Sequence, residues 1–406
     1  MTAATSATAT VDATTPAVRE ALSAMVAVVL ASGGALHPGL RLVERDGDMT
    51  VFCSDAPGPA RRPLFDVPRE LLIPVEEAVW ADDSATLRLV AAPPGLTARQ
   101  REVLDLHVAL YNASDKIRWL ITGHPRAALA DEPDMVAAVR ALRPGFEAVG
   151  SSTAQTFLST RTFGLATAGA EPSGPPAPGA AGEAKTGVLM TLIDLLNHHP
   201  RGAPYQVDDR AMSTIVARPT STAECFATYG GRRDVIDLAL QYGYLDVYTP
   251  FAHCAPVTVE APGIGTVTVR GYRMRAPSPL DPPRVQRTDD GLVLSHLTFN
   301  RRHPERFHVP LRMALQGAAQ QGGLSAEAAR KVAEQTVEEI AAANVELLDR
   351  IVAAGRAASH TRADGGRCPG PAPAPTAQPA LGLLADAATT QADIIRTVAA
   401  AGQASR

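Results

Sequence analysis

Glu224-Cys-Phe-Ala-Thr-Tyr-Gly230, with Tyr242-Gly-Tyr244 shortly after it, is the most informative stretch of this chain. Two others precede it in a fixed order: Ser159-Thr-Arg-Thr-Phe163, then Asp194-Leu-Leu-Asn-His198. Each has an ordinary reading when taken alone. A tyrosine before Gly230-Gly231 is a turn residue packing its ring. An asparagine in Leu195-Leu-Asn-His-His-Pro200 caps a helix end. A lone arginine sits in solvent. Together they assemble a different chemistry. A phenol is neutral at pH 7 and both donates and accepts a hydrogen bond. A guanidinium pairs bidentately with a carboxylate, and aromatic walls such as Tyr242 and Tyr244 attract an ammonium by its charge.

In order and spacing, the three stretches resemble the SET-domain methyltransferases of the Rubisco lysine-methyltransferase type. The resemblance is strongest over residues 150 to 250. It implies an α+β fold, a β-rich SET core with an inserted helical subdomain, followed by a mainly helical C-terminal lobe. It also implies S-adenosylmethionine as cofactor and methyl transfer to a side-chain amine, a protein lysine being the family's usual acceptor. The implied cofactor-binding residues are Arg161, Asp194, Asn197, His198 and Tyr229. Arg161 matches the arginine that meets the cofactor's carboxylate, and Asn197 and His198 match the pair holding its methionine end and adenine. Asp194 orients the loop. Tyr229, Tyr242 and Tyr244 are the implied catalytic residues, Tyr229 beside the methyl group and the target nitrogen, the other two toward the acceptor channel.

The reaction itself is demanding. The acceptor nitrogen needs its lone pair, and a free lysine has a pKa of ~10.4, so the site must desolvate and orient it. Holding the nitrogen in line with the S–CH3 bond supplies much of the barrier reduction. Two positions depart from the family. Asp234 stands where an asparagine is usual, and Gly33-Gly34 with Gly39 replaces the early Gly-x-Gly cofactor loop. Two other readings stay open on the same fold: a tailoring enzyme for a small-molecule or peptide amine, and a binding protein without catalysis. The latter is expected to have lost Tyr229 or Asn197, and both are present.

Outward from this core, Phe65-Asp-Val-Pro-Arg-Glu-Leu-Leu-Ile-Pro74 resembles the family's early strand. Composition predicts a tail over 1–15, and the resemblance implies the first part of the SET domain over 16–94, a helical insert over 95–150 and the catalytic core over 151–250. A C-terminal lobe over 251–357 and a linker and tail over 358–406 complete it. Pro16 suits the first turn of a helix reaching about Ser32, with Val18, Leu22, Met25, Val26 and Val29 on one face. Short extended runs follow, Leu40 to Val43 and Met49 to Phe52. Thr97 is an N-cap for the insert's first helix, whose apolar series is Val103, Leu104, Val108 and Leu110. Residues 167–185 are rich in Pro, Gly and Ala and read as a flexible surface loop. Strand patterns return at Ala255 to Glu260 and Gly265 to Gly271. A long helix then runs from Ser325 as N-cap to a stop at Gly355, with Val332, Val337, Ile340, Leu347, Leu348, Ile351 and Val352 inward. The last segment, Leu381 to Val398, is a docking helix or a frayed tail.

The chain has 406 residues, enough for two or three domains. At 46% hydrophobic and 20% charged it is an ordinary globular composition. A net charge of −4 gives no electrostatic ground for nucleic-acid binding. The 4 cysteines form no CxxC pair, so neither a zinc site nor a disulfide scaffold is expected, and His253, Cys254, His296, His303 and His308 make no spaced ligand set. The Ala/Thr-rich N-terminus lacks a basic signal-peptide region, and Met25 to Ala31 is too short to span a bilayer. A cytoplasmic enzyme without membrane attachment is the expectation; its partner is the amine substrate, and its oligomeric state is left open.

Overall fold

The computed structural model describes residues 9–54, 63–81, 86–129, 131–146, 152–166, 185–214, 223–229, 232–271, 278–364 and 378–404. Residues 167–184 of the expected loop lie outside them. The fold mixes helices and mainly antiparallel strands in an α+β arrangement. The chain divides into two units, one of residues 1–121 and 151–230, the other of 122–150 and 231–406, so the division falls inside the helical stretch 95–150.

The first unit is built of short sheets. Leu40–Arg45 and Asp48–Cys53 form a hairpin, and Phe65–Pro68 pairs with Ala211–Thr214 and Ala35–Leu36. The expected tail over 1–15 is ordered from Thr10, because Thr10–Ala13 pairs in parallel with Leu40–Arg45. Glu44 anchors that junction. Its carboxylate accepts the amides of Thr15 at 2.9 Å and Gly47 at 2.6 Å, and the hydroxyls of Thr14 and Thr15. The helix Pro16–Ala31 starts on its proline and buries Val18, Leu22, Met25 and Val29. The helix Ala98–Ala113 opens with a full capping box: Thr97 Oγ1 accepts the Gln100 amide, and Gln100 Oε1 accepts the Thr97 amide. A third sheet sets Lys185–Met190 between Leu72–Pro74 and Thr162–Ala166.

The second unit is helix-rich. Its four-stranded sheet runs Val257–Ala261, Gly265–Val269, Gly291–Ser295, Arg284–Thr288, with the middle pair parallel. The helices Glu305–Gln321, Ala326–Asp364 and Gln378–Ala404 pack on one another over a core that includes Ile340, Leu348, Ile351, Leu384 and Ile394. The C-terminal segment is therefore a docked helix and not a tail. Ser325 Oγ accepts the Ala328 amide at 3.3 Å, the expected N-cap. Gly355 does not stop the helix, which continues to Asp364. A Cβ at that position would lie 3.0 Å from Met135 Cε, 3.1 Å from Ala385 Cβ and 3.2 Å from the Leu381 carbonyl oxygen. The glycine serves close helix packing, which a local pattern does not distinguish from a cap.

Candidate active site

The first two quoted stretches meet because of a strand pairing. Ser152 and Gln155 form a capping box that starts the helix Thr153–Arg161. The chain passes from Arg161 directly into Thr162–Ala166, and Thr162 lies opposite Leu189. That register puts Arg161 beside the turn that follows Met190. Arg161 Nη1 donates to the Asp194 carbonyl oxygen at 2.9 Å, and the guanidinium carbon lies 5.3 Å from the centre of the Tyr111 ring. Its buried Nε has no hydrogen-bond partner among the described residues. Burial works against the cation, but Tyr111, Tyr229, Asp194 and Tyr205 outweigh it and raise the pKa above the ordinary value.

Asp194 sits in a one-turn 3-10 helix, Ile193–Leu195, entered through Leu192 at φ 62°. A positive φ at a branched apolar residue is uncommon and costs about 1–3 kcal/mol, a strain that clusters at functional sites. The residue is 3% exposed. Oδ2 accepts the Tyr111 hydroxyl at 3.1 Å and stands 3.8 Å from His107 Nδ1. Oδ1 has no partner among the described residues. Burial lowers the His107 pKa, although Asp194 opposes the shift, so the ring is neutral at pH 7.

A second pairing joins the remaining stretches. Asn197 begins the strand Asn197–Ala203 and is not a helix cap, because one 3-10 turn is all the helix that precedes it. This strand pairs in parallel with Phe226–Ala227, Asn197 opposite Phe226 and His198 opposite Ala227. Asn197 Nδ2 donates to Glu224 Oε1 at 2.6 Å. His198 Nδ1 accepts the Tyr229 amide at 2.9 Å, which leaves the ring proton on Nε2 when the imidazole is neutral. The two rings lie 5.1 Å apart. The Tyr229 hydroxyl donates to the Leu196 carbonyl oxygen at 2.6 Å.

Arg161, Asp194, Asn197, His198 and Tyr229 thus all lie in the first unit and are linked through the segment 194–198. Tyr242 and Tyr244 belong to the second unit. There Tyr242 ends the helix Val235–Tyr242 with its ring 5.1 Å from the Arg233 guanidinium, and Gly243 at φ 66° turns the chain out to Tyr244. The residues that sequence reasoning missed are Tyr111, His107 and Glu224. Glu224 lies inside the quoted motif but received no role; burial raises its pKa, with Asn197 opposing, and Lys116 and Asp48 lie within electrostatic reach. In the Gly33-to-Gly39 segment, His37 Nδ1 accepts the Gly39 amide at 3.1 Å and lies 3.0 Å from Cys53 Sγ. Among the described residues no group of three or more His, Cys, Asp or Glu side chains is placed to hold a metal, and no helix is long and apolar enough to cross a membrane.

No family model matches the sequence, and no curated protein matches it. Among solved structures, it aligns with the SET domain of LSMT bound to lysine and AdoHcy at 11% identity and a TM-score of 0.41, over 96% of this chain and 92% of that one. Rubisco LSMT bound to AdoMet aligns at 10% identity and a TM-score of 0.36, over 95% and 92%. Rubisco LSMT bound to sinefungin and monomethyllysine aligns at 10% and 0.38, over the same shares. TM-scores of 0.36 to 0.41 locate no site in this chain, so the functional conclusion rests on the residues above.

Proposed function

We propose that this chain is an S-adenosylmethionine-dependent N-methyltransferase of the SET type, acting on a side-chain amine, with a protein lysine as acceptor. The observation that carries the proposal is the junction of the Asn-His and Tyr-Gly motifs: His198 grips the Tyr229 amide while the Tyr229 hydroxyl is held on the Leu196 carbonyl. The residues fit the cofactor. Arg161 keeps a buried donor, Nε, unmatched by any described acceptor, and Asp194 keeps an unmatched acceptor, Oδ1. These are the complements of an amino acid's carboxylate and ammonium groups. When bound, S-adenosylmethionine supplies an electrophilic methyl group on a sulfonium.

The chain's own contribution is placement. With its proton committed to Leu196, the Tyr229 oxygen presents lone pairs, so it accepts an N–H from the incoming amine and orients the nitrogen lone pair away from itself. His198 fixes the main chain at Tyr229 and so fixes where that oxygen lies. Asn197, tied to the half-buried Glu224, holds the strand start in register. The acceptor-side roles of Tyr242 and Tyr244 rest on the sequence motif.

The test is calorimetric titration of the full chain with S-adenosylmethionine and S-adenosylhomocysteine, followed by transfer of a labelled methyl group to poly-L-lysine and to free L-lysine. Saturable binding of both ligands and labelling of the polymer support the proposal. Well-folded protein that binds neither ligand overturns it. Labelling of free lysine alone moves the assignment to a small-molecule acceptor.

A further inference from the structure

His107 and Tyr111 lie four residues apart on the buried face of the helix Ala98–Ala113, and both are 0% exposed. Around them the face is apolar: Val103, Leu104 and Leu110 are equally buried. Apolar side chains of similar volume would fill this place without the penalty of desolvating polar groups. Hydrophobic burial therefore does not account for the pair. Their contacts do. The Tyr111 ring meets Phe157 edge-on at 4.8 Å, with ring planes at 72°, and its face carries the Arg161 guanidinium at 5.3 Å. Phe157 and Arg161 are themselves four residues apart on the helix Thr153–Arg161, so two side-chain pairs interlock. The Tyr111 hydroxyl donates to Asp194, and the carbonyl oxygen of Asp194 accepts Arg161, which closes a ring of contacts through both. His107 Nδ1 stands 3.8 Å from the same carboxylate oxygen, and neither ring nitrogen has a hydrogen-bond partner among the described residues.

We propose that Tyr111 is a positioning residue for the amino-acid end of the cofactor, holding the Arg161 guanidinium and the Asp194 turn in one arrangement before a ligand binds, with His107 as its support. The inference rests on the assignment of Arg161 to the cofactor's carboxylate. One hydrogen bond, donated by Nη1 to the Asp194 carbonyl, and a stacking face constrain the guanidinium in plane and in rotation, and a preformed arrangement removes an ordering cost from binding. The phenol suits this task better than a phenyl ring, since the hydroxyl locks the turn and the ring locks the arginine.

The experiment compares two ligands that share adenosine and a thioether. S-adenosylhomocysteine has the amino-acid end; 5′-methylthioadenosine lacks it. Calorimetry on the full chain gives the ratio of their affinities for wild type, Tyr111→Phe, Tyr111→Leu and Arg161→Met, with thermal melts alongside. Tyr111→Phe is expected to weaken S-adenosylhomocysteine by about tenfold and leave methylthioadenosine within about twofold. Tyr111→Leu is expected to approach Arg161→Met, for which the two affinities converge. If Tyr111→Phe does not fold, Phe157→Leu lowers the same ratio by about threefold, because it removes the edge contact that holds the Tyr111 ring. An unchanged ratio in the tyrosine variants, or equal weakening of both ligands, overturns the inference while the methyltransferase assignment stands. A wild type that binds neither ligand fails that assignment instead.

Discussion

Tyr229 is held at both ends. Its amide is held by His198 and its hydroxyl by Leu196, so both ends of one residue are set by the segment 196–198. Tyr229→Phe keeps the ring and the amide contact but removes the oxygen held on Leu196, the one proposed to meet the acceptor nitrogen. The expected result is S-adenosylhomocysteine affinity within about threefold of wild type and methyl transfer slower by about 10²–10³-fold, the range for losing one orienting hydrogen-bonding group. Titration and a single-turnover assay check the two parts, and a variant that transfers methyl at the wild-type rate removes Tyr229 from the chemistry. The short, ordered motifs single out Arg161, Asn197, His198 and Tyr229, and the fold links all four through the segment 194–198. Tyr111 and His107 were not legible. A polar aromatic residue on a helix face carries no local mark of the arginine it meets 50 residues later in the chain, at Arg161.

Elements whose signals are local were legible: the Pro16 start, the Thr97 cap, the Ser325 cap and the extended runs from Leu40 and Met49, which the structure pairs as a hairpin. Those decided by tertiary contact were not. Gly355 reads as a helix stop, yet the helix crosses it because Met135, Ala385 and Leu381 come too close for a side chain. Gly355→Leu is expected to destabilise the chain by about 1–3 kcal/mol, the usual effect of overpacking, despite the better helix propensity of leucine. Urea denaturation checks it, and a more stable variant would show that the packed helices can move apart. The Thr10–Ala13 strand was likewise hidden, since its partner and its anchor lie over 30 residues downstream. That anchor has a pH signature. Burial pushes Glu44 upward, but the amides of Thr15 and Gly47 and the hydroxyls of Thr14 and Thr15 prevail and lower it from 4.5 to about 2. A depressed carboxylate contributes stability above its unfolded pKa and loses it as pH falls through the folded one. Wild type should therefore lose stability relative to Glu44→Gln between pH 4.5 and about 2. At pH 7 the variant should be the less stable by about 1–3 kcal/mol. Denaturation curves at pH 7, 4 and 2.5 check the crossover, and a pH-independent gap refutes it.

Each of the two units has its own apolar core, and the five cofactor-side candidates all fall in the first. The second unit holds a buried ionic cluster built on Asp234. Asp234 Oδ1 caps the helix Val235–Tyr242 by accepting the Asp237 amide at 3.0 Å, a task an asparagine performs equally well. Oδ2 accepts the His253 amide at 2.9 Å and pairs with Arg143 at 2.5 Å, which a neutral amide cannot match. Arg143 also meets Asp237 at 2.8 Å, and its side chain is only 11% exposed. Burial alone would raise the Asp234 pKa, but Arg143 turns the shift downward, so the aspartate is charged. Arg143→Met leaves that charge buried and unpaired, for an expected loss of about 3–5 kcal/mol. The double variant Arg143→Met/Asp234→Asn removes both charges while keeping the cap, and it should recover at least about half of the loss. If the double variant is no more stable than Arg143→Met, the loss comes from the packing of the arginine stem, and the pairing of Arg143 with Asp234 is not what holds this end of the helix.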